Sequence, residues 1–175
     1  MERAVFFDRD GIVNVRLVGE YVRSIHEFVL IDAVMDVLKL VHSRGYLPIL
    51  VSNQQGVGKG LMTEQQLDEI TEYFQNELMR KCGVRFHEVC YCTALEHEQD
   101  PRRKPAPGMI LESAKRWNID LSDSWMIGDS ISDVRAGRAA GVHTILVGDY
   151  SHVDEADWIV PTVEAVLPVV QAHVQ

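Results

Sequence analysis

Two aspartates, Asp8 and Asp10, stand one residue apart directly after the apolar run AVFF, and Gly11 follows them. In an extended segment, residues i and i+2 point to the same side, so both carboxylates can face one site while Arg9 turns aside. Two adjacent carboxylates ordinarily force one of them to take up a proton. A divalent hard cation removes that penalty, and Mg²⁺ prefers carboxylate oxygens and water. The pair therefore indicates a magnesium site at the end of a strand.

A polar turn and a calcium-binding loop are the two alternatives for this segment, DRDG. Asp-Gly is common in turns, and the pattern alone does not distinguish a turn from a metal site. A calcium loop needs a flanking helix and a glutamate at its twelfth position. Here an apolar strand precedes the segment and Gly19 stands at the twelfth position, which argues against the calcium loop.

A second polar segment, SNQQGVGKG, begins at Ser52 after the apolar run YLPILV. Ser52 and Asn53 offer a hydroxyl and an amide, and the glycines free backbone N–H groups to face an anion. The segment is not a nucleotide P-loop, because Asn53 occupies the first glycine position of that motif and Gly60 follows Lys59 where serine or threonine is required. Taken alone, the segment is also compatible with a turn.

Two further segments carry a lysine and two more carboxylates. Lys104, preceded by Arg103, is a point charge suited to a phosphoryl group, and the prolines after it stiffen its loop. Asp129 follows the apolar run WMIG and so stands at a strand end, as Asp8 does. Asp133 is a secondary candidate, because Ser132 followed by Asp133 also fits a helix N-terminus with the serine as its cap.

Together these residues predict phosphoryl transfer at the carboxyl ends of parallel strands. Asp8 is the predicted nucleophile, which forms an aspartyl-phosphate, and Asp10 is the predicted acid that protonates the leaving oxygen and then activates water. Mg²⁺, Lys104 and Ser52 are expected to spread the negative charge of the transition state. The expected ligand is a small phosphorylated metabolite.

The elements that must position these residues alternate along the chain between apolar runs and amphipathic stretches. This alternation predicts an α/β fold, a three-layer doubly wound parallel sheet with helices on both faces. Ligands bind beyond the carboxyl ends of the strands in such folds. The predicted strands are 3–7, 46–52, 86–92, 124–128, 143–148 and, at an edge, 157–160. Two helices are predicted over 32–45 and 132–141, and two more begin after a capping box at 63–66 and at Pro107. A C-terminal helix is expected to start late or to kink at Pro168.

The composition is ordinary for a globular protein and acidic overall. The 175 residues are 46% hydrophobic and carry a formal net charge of −9, and the length favours one domain over residues 1–175. The negative charge argues against nucleic acid and anionic membranes as partners. Because the sequence has no signal peptide or membrane-spanning run, we expect a cytoplasmic protein, and a monomer by default.

The order DxD, S, K and GDxxxD resembles the haloacid dehalogenase (HAD) superfamily of phosphatases over residues 3–148. The segments DRDGIVN, SNQQGVGKG, RKPAPGM and GDSISDVRAG are similar to its branch of heptose-1,7-bisphosphate 7-phosphatases and histidinol-phosphate phosphatases. The resemblance implies a HAD-like Rossmannoid fold, a magnesium cofactor, and a sugar bisphosphate as substrate, with histidinol phosphate as the alternative.

The resemblance also implies roles for individual residues. Magnesium is expected to be held by Asp8, the backbone carbonyl of Asp10, and Asp129. Lys104 is expected to act in catalysis as well as in binding. The expected phosphate and substrate contacts are Ser52, Asn53, Gln54, Gln55, Arg103 and Lys104.

Two positions depart from the pattern of this branch. Many of its members carry a structural zinc loop, but this chain keeps only Cys90, Cys92 and His97, at most three ligands where a structural zinc site needs four. We therefore expect no zinc. Gln55 stands where serine is frequent, which leaves substrate specificity open.

Many relatives also carry a cap domain that closes over the substrate. The intervals from Asp8 to Ser52 and from Ser52 to Lys104 are filled by core elements, so the sequence predicts no large cap domain. Substrate choice is then expected to depend on two short loops, 11–24 and 92–102.

A phospho-acceptor signalling domain and a non-catalytic binding protein are the alternatives from other functional classes. Receiver domains also place carboxylates and a lysine at strand ends, but they lack a second aspartate at i+2 that can activate water. Asp10 therefore favours turnover over signalling. The joint presence of Asp8, Asp10, Lys104 and Asp129 favours an enzyme over a binding protein.

Overall fold

A six-stranded parallel sheet forms the centre of the computed structural model, which describes residues 1–174. The strands are β1 (Arg3–Phe7), β2 (Tyr46–Asn53), β3 (Glu88–Cys92), β4 (Trp125–Gly128), β5 (His143–Val147) and β6 (Trp158–Val160). They lie in the order β3-β2-β1-β4-β5-β6, with every neighbouring pair parallel. The predicted parallel sheet is thus confirmed, with β6 at one edge as expected.

The sheet is buried on both faces because its strands are apolar at consecutive positions. In β1, Val5 and Phe7 belong to one core cluster, and Ala4 and Phe6 belong to a second. All four side chains have no exposed surface. Since successive strand residues point to opposite faces, the two clusters occupy opposite sides of the sheet, which confirms the three-layer arrangement.

The helices are divided between these two layers. They are α1 (Ala33–Ser43), α2 (Gln55–Gly58), α3 (Glu64–Cys82), α4 (Gly108–Trp117), α5 (Ile131–Ala140) and α6 (Val166–His173). Apolar residues of α1, α3 and α6 join the cluster of Val5 and Phe7, and those of α4 and α5 join the cluster of Ala4 and Phe6. Each helix therefore buries one stripe against the sheet.

The long helix α3 shows how local sequence sets the limits of an element. Thr63 Oγ1 accepts a hydrogen bond from the backbone N–H of Gln66, while the Gln66 side chain accepts one from the N–H of Thr63. The helix ends at Gly83, whose φ of 72° is in the left-handed region that favours glycine. The predicted capping box is confirmed.

Three local features differ from the sequence-based expectations. Residues 55–58 form the one-turn helix α2 within the glycine-rich segment. The N-cap of α5 is Ser130, not Ser132 as predicted, because the Asp133 carboxylate accepts hydrogen bonds from the Ser130 backbone N–H and hydroxyl. Pro168 lies in the first turn of α6, where its missing N–H costs no helical hydrogen bond, so the helix begins before it.

The strand order creates a reversal point between β1 and β4. The chain passes from β1 outward to β3 and then returns to the other side of β1, so the carboxyl ends of β1 and β4 diverge into a crevice. Between the strands, residues 1–174 contain only the helices named above, short 3₁₀ turns and loops, without an inserted folded unit. Within the same residues, no helix is long and apolar enough to cross a membrane.

Candidate active site

A cavity of about 220 Å³ opens at this reversal point. It is lined by residues from the carboxyl ends of β1 and β2 and from the loops before α1, α4 and α5. The lining contains eight of the predicted site residues: Asp8, Asp10, Ser52, Asn53, Gln55, Arg103, Lys104 and Asp133. The structure therefore brings together residues that are separated by up to 125 positions in the sequence.

Lys104 lies at the base of the cavity and holds two carboxylates. Its ammonium Nζ lies 2.9 Å from Asp8 Oδ1 and 2.6 Å from Asp133 Oδ1, and it donates to the Val51 carbonyl at 2.8 Å. Since an ammonium has three donors, these contacts use all of them. Burial alone lowers the pKa of Lys104, but the charges of Asp133 and Asp8 outweigh this and raise it, so the side chain stays protonated.

Asp8 and Asp133 are both buried, with 5% and 1% of their surface exposed. Burial raises the pKa of Asp8, and the charges of Asp133 and Asp10 add to this, in opposition to Lys104. Asp133 also caps α5 through Ser130, so the helix-start interpretation and the site interpretation of this residue both hold. A Cβ on Gly128 would lie 2.3 Å from the Cβ of Asp133, and only glycine permits this close approach.

Asp129 completes a group of three carboxylates. Ligand oxygens of Asp8, Asp129 and Asp133 all lie within 4.8 Å of one another. Asp129 Oδ1 is buried without a hydrogen-bond partner, while Oδ2 lies 3.1 Å from the guanidinium of Arg16. Burial and the Asp8 charge raise the pKa of Asp129 to about 7, against the opposing charge of Arg16.

Gly11 allows Asp129 to approach the turn after β1. A Cβ at this position would lie 2.0 Å from Asp129 Oδ2, and the φ of Gly11 is +91°, in the left-handed region. Both constraints exclude a side chain here. The glycine of the DRDG segment is therefore required for the close contact between the two strand ends.

Asp10 points to the same cavity but lies outside the group of three. Its carboxylate accepts hydrogen bonds from Asn14 Nδ2 at 2.9 Å, Gln54 Nε2 at 2.8 Å and Arg9 Nη2 at 3.1 Å. Burial alone raises the pKa of Asp10, but the Arg9 charge and these hydrogen bonds outweigh it, so the pKa is lowered. Its carboxylate is ionised and held in one orientation.

Residues at the end of β2 form hydrogen bonds that hold other site residues in position. The Gln54 amide donates to Asp10 and to Ser52 Oγ, which it orients. The Asn53 side chain and the Lys104 backbone exchange two hydrogen bonds of 2.9 and 3.0 Å, which join the end of β2 to the lysine loop. Phosphate contacts by Gln54 and Asn53 stay predictions, since both amides are engaged with the protein.

Known proteins are similar to this chain in sequence and in fold. The HAD-hydrolase-like family model matches residues 101–169. The D-glycero-β-D-manno-heptose-1,7-bisphosphate 7-phosphatase of Pasteurella multocida is 38% identical over 154 residues, which cover 84% of this chain and 82% of the relative. The protein of the same name from Yersinia pestis is 36% identical over 169 residues, 89% of this chain and 88% of the relative.

The chain belongs to the HAD phosphatases. It is therefore a phosphoric monoester hydrolase, as the sequence predicts. A HAD-like phosphatase structure from Mesorhizobium loti is 27% identical, with a TM-score of 0.89 over 99% of this chain and 86% of that one. A D,D-heptose 1,7-bisphosphate phosphatase from B. bronchiseptica, complexed with magnesium and phosphate, is 23% identical, with a TM-score of 0.87 over 97% and 98%. These likenesses confirm the fold.

Cys90 and Cys92, which the resemblance places in a potential zinc segment, lie in β3. Cys92 is buried and Cys90 is half-buried with its sulfur 3.5 Å from Ser113 Oγ. Within residues 1–174, the group of three potential metal ligands described above contains neither cysteine nor His97. The expected absence of zinc stays a prediction.

Sequence reasoning missed three residues of this HAD phosphatase site. Arg9 does not turn to solvent: it is 1% exposed and returns to pair with Asp10. Arg16 reaches Asp129 from the loop after β1, and the hydroxyl of Tyr21 in the same loop accepts a hydrogen bond of 2.9 Å from Lys59 Nζ. Loop 11–24 is one of the two loops on which substrate choice is predicted to depend, but its individual contacts carry no sequence pattern.

Replacing Lys104 by methionine should destabilise the protein in a pH-dependent way. Removing one partner of a buried ion pair costs about 3–5 kcal/mol, because Asp8 and Asp133 are left without their counter-charge. Lys104 opposes the effects that raise the pKa of Asp8, namely burial and the charges of Asp133 and Asp10. Without Lys104 the Asp8 carboxyl should take up a proton more readily, so the loss should be smaller at pH 5 than at pH 8. Denaturant unfolding at both pH values measures this, with Lys115→Met on the surface of α4 as control. An equal loss of unfolding free energy at the two pH values would contradict the sharing of Lys104 by Asp8 and Asp133.

Replacing Asp129 by asparagine should stabilise the metal-free protein at pH 8. The pKa of Asp129 is raised from 3.8 to about 7, so between these values the folded state binds a proton that the unfolded state lacks. Stability contributed by this group therefore falls as pH rises from 4 to 7, and asparagine removes a penalty of about 4 kcal/mol above pH 7.

The same variant shows whether Asp129 binds a metal ion or is only a buried aspartate with a raised pKa. Millimolar Mg²⁺ should raise the melting temperature of the unmodified protein but not that of Asp129→Asn, since ligand binding stabilises only the state that binds. Asp68→Asn, an exposed change on α3, is the matched control and should respond to Mg²⁺ as the unmodified protein does. A shift that persists in Asp129→Asn would place the ion elsewhere.

Proposed function

We propose that this HAD phosphatase is a Mg²⁺-dependent enzyme that uses an aspartyl-phosphate intermediate on Asp8, and that its substrate is a heptose bisphosphate. The observation that carries the proposal is the group of Asp8, Asp129 and Asp133 around Lys104 at the reversal point of the sheet. A buried group with this excess of negative charge is suited to a divalent cation and a phosphoryl group.

The residues fit a magnesium ion on two counts. Asp129 Oδ1 is a buried carboxylate oxygen without a hydrogen-bond partner, and the ligand oxygens of the three carboxylates lie within 4.8 Å of one another. We assign Asp8, Asp129 and the backbone carbonyl of Asp10 as its ligands, with Asp133 supporting Lys104. When bound, the ion neutralises charge on the carboxylates and on the phosphoryl oxygens.

In the first half-reaction, a carboxylate oxygen of Asp8 bonds to phosphorus and the phosphorus–ester oxygen bond breaks. Asp10 gives its proton to the leaving oxygen. In the ligand-free protein Asp10 is ionised, so it must be protonated in the substrate complex, where the adjoining phosphate anion favours the protonated form. Its three fixed donors keep the carboxylate aimed at the cavity in both forms.

In the second half-reaction, Asp10 takes a proton from a water molecule, whose oxygen attacks phosphorus. The bond to Asp8 breaks, inorganic phosphate leaves, and the Asp8 carboxylate returns to Lys104. Ser52, oriented by Gln54, and Lys104 are placed to neutralise the phosphoryl oxygens. Lys104 keeps its contacts with Asp133 and the Val51 carbonyl, so only its contact with Asp8 has to change during the reaction.

A substrate with a second anionic group is supported by two arginines of the cavity lining. Arg103 and Arg16 both line the cavity, against a formal net charge of −9 for the chain. Arg103 Nη1 donates to the Ala94 carbonyl at 3.0 Å, which fixes this cation beside Gln55. The relatives from Pasteurella multocida and Yersinia pestis are named for a heptose 1,7-bisphosphate, which has such a second phosphate.

Phosphate release from a panel of substrates tests the proposal. Purified protein should release phosphate from D-glycero-D-manno-heptose 1,7-bisphosphate at least tenfold faster, in kcat/KM, than from histidinol phosphate or sugar monophosphates. Activity should vanish when EDTA removes Mg²⁺ and return when Mg²⁺ is added. Asp8→Asn should lower kcat by about a thousandfold or more, because it removes the attacking carboxylate, while Asp68→Asn should not change it.

Three results would contradict the proposal. Full activity of Asp8→Asn would remove the nucleophile assignment, and activity in EDTA would remove the metal. A long-lived phosphoprotein without release of phosphate would instead support the signalling alternative. A preference for histidinol phosphate would retain the chemistry and correct the substrate.

A further inference from the structure

Within residues 1–174, the three grouped carboxylates form ion pairs with two cations, Lys104 and Arg16. When all three are ionised, Lys104 compensates Asp8 and Asp133, and Arg16 compensates Asp129, which leaves one negative charge over. A divalent ion added to this set changes the balance from one negative to one positive charge. The set becomes neutral only if one of the two side-chain cations leaves.

Arg16 and Lys104 differ greatly in their freedom to leave. The side chain of Lys104 is 3% exposed and donates to three acceptors, whereas that of Arg16 is 49% exposed. Lys104 therefore cannot leave without giving up three buried contacts, whereas Arg16 can turn into solvent. The Asp129 carboxylate is 14% exposed, so its contact with Arg16 is at the surface of the site.

The loop that carries Arg16 is attached at another point. Tyr21 packs on the glycine of α2 at Gly56, where an added Cβ would lie 3.2 Å from the tyrosine ring, and its hydroxyl accepts from Lys59. The loop is thus held to the protein independently of the contact between Arg16 and Asp129. Arg16 can release Asp129 and still remain at the mouth of the cavity.

We propose that Arg16 is an exchangeable counter-ion: it neutralises Asp129 in the metal-free protein, is displaced from that carboxylate by Mg²⁺, and then binds the anionic part of the substrate farthest from Asp8. This inference rests on the proposed function. Arg16 then weakens the binding of Mg²⁺ and strengthens the binding of a substrate that carries a second anionic group.

The first consequence concerns the metal. Because Arg16 competes with Mg²⁺ for Asp129, its removal should strengthen metal binding. Exposed ion pairs are weak, so we expect a dissociation constant for Mg²⁺ about two- to fivefold lower in Arg16→Gln. A guanidinium that stays far from the bound ion predicts no change, and one that orients Asp129 for the ion predicts weaker binding.

Isothermal titration of the substrate-free protein with Mg²⁺ measures this without reference to catalysis. The matched control is Arg23→Gln, an exposed arginine at the end of the same loop that pairs with Glu27 instead of the site. Arg23→Gln should bind Mg²⁺ as the unmodified protein does. An unchanged or weaker affinity in Arg16→Gln would overturn the exchange.

The second consequence concerns the substrate and is measured at saturating Mg²⁺. Arg16→Gln should raise KM for heptose 1,7-bisphosphate about five- to tenfold with kcat nearly constant, since a binding contact distant from phosphorus is lost. For p-nitrophenyl phosphate, which lacks a second anion, KM should change less than twofold. Equal effects on both substrates would overturn the substrate half of the proposal.

These outcomes are distinguishable from a failure of the proposed function. If the unmodified protein neither binds Mg²⁺ in the titration nor releases phosphate, the function itself is wrong. If it does both, and Arg16→Gln binds Mg²⁺ no more tightly, only the role of Arg16 is wrong.

Discussion

Crowding of negative charge at one end of the sheet is the constraint on which the rest of the structure depends. Asp8, Asp129 and Asp133 come from the ends of two adjacent strands and the helix after them, and their oxygens lie within 4.8 Å of one another. Coulomb repulsion between buried carboxylates is strong because little water screens them. Lys104 therefore has to sit inside the protein, with every donor used, and its loop is joined to β2 through Asn53. Two glycines, Gly11 and Gly128, provide the space for the carboxylates.

The same crowding separates the two aspartates of the DRDG segment into different environments. Asp8 shares a lysine with Asp133, and burial raises its pKa. Asp10, two residues on, is held by Arg9, Asn14 and Gln54, whose combined effect exceeds that of burial and lowers its pKa. Two carboxylates with different environments are suited to different tasks. The ionised form of Asp129 lowers the stability of the ligand-free protein, since burial and the Asp8 charge raise the pKa of this group.

The sequence predicts which residues come together because strand ends are recognisable from composition. Asp8, Ser52 and Asp129 each follow an apolar run, and a doubly wound sheet brings such ends together. The sequence does not distinguish the two roles of Asp133, because a helix-capping aspartate and a lysine partner have the same sequence pattern. Here one residue has both roles. Arg9 and Arg16 were not assigned because their contacts depend on the path of a loop with no periodic pattern. The start of α5 differs by one residue from the prediction because Asp133 selects Ser130, and not Ser132, as the cap.

A crystal structure with Mg²⁺ and trifluoroberyllate, a mimic of a phosphoryl group on aspartate, would test the assignments of Asp8 and Asp129. We expect beryllium bonded to a carboxylate oxygen of Asp8, Mg²⁺ in contact with both Asp8 and Asp129, and Lys104 still paired with Asp133. Beryllium on Asp10, or Mg²⁺ bound away from Asp129, would show that these carboxylates are not gathered to share one ion and one phosphoryl group.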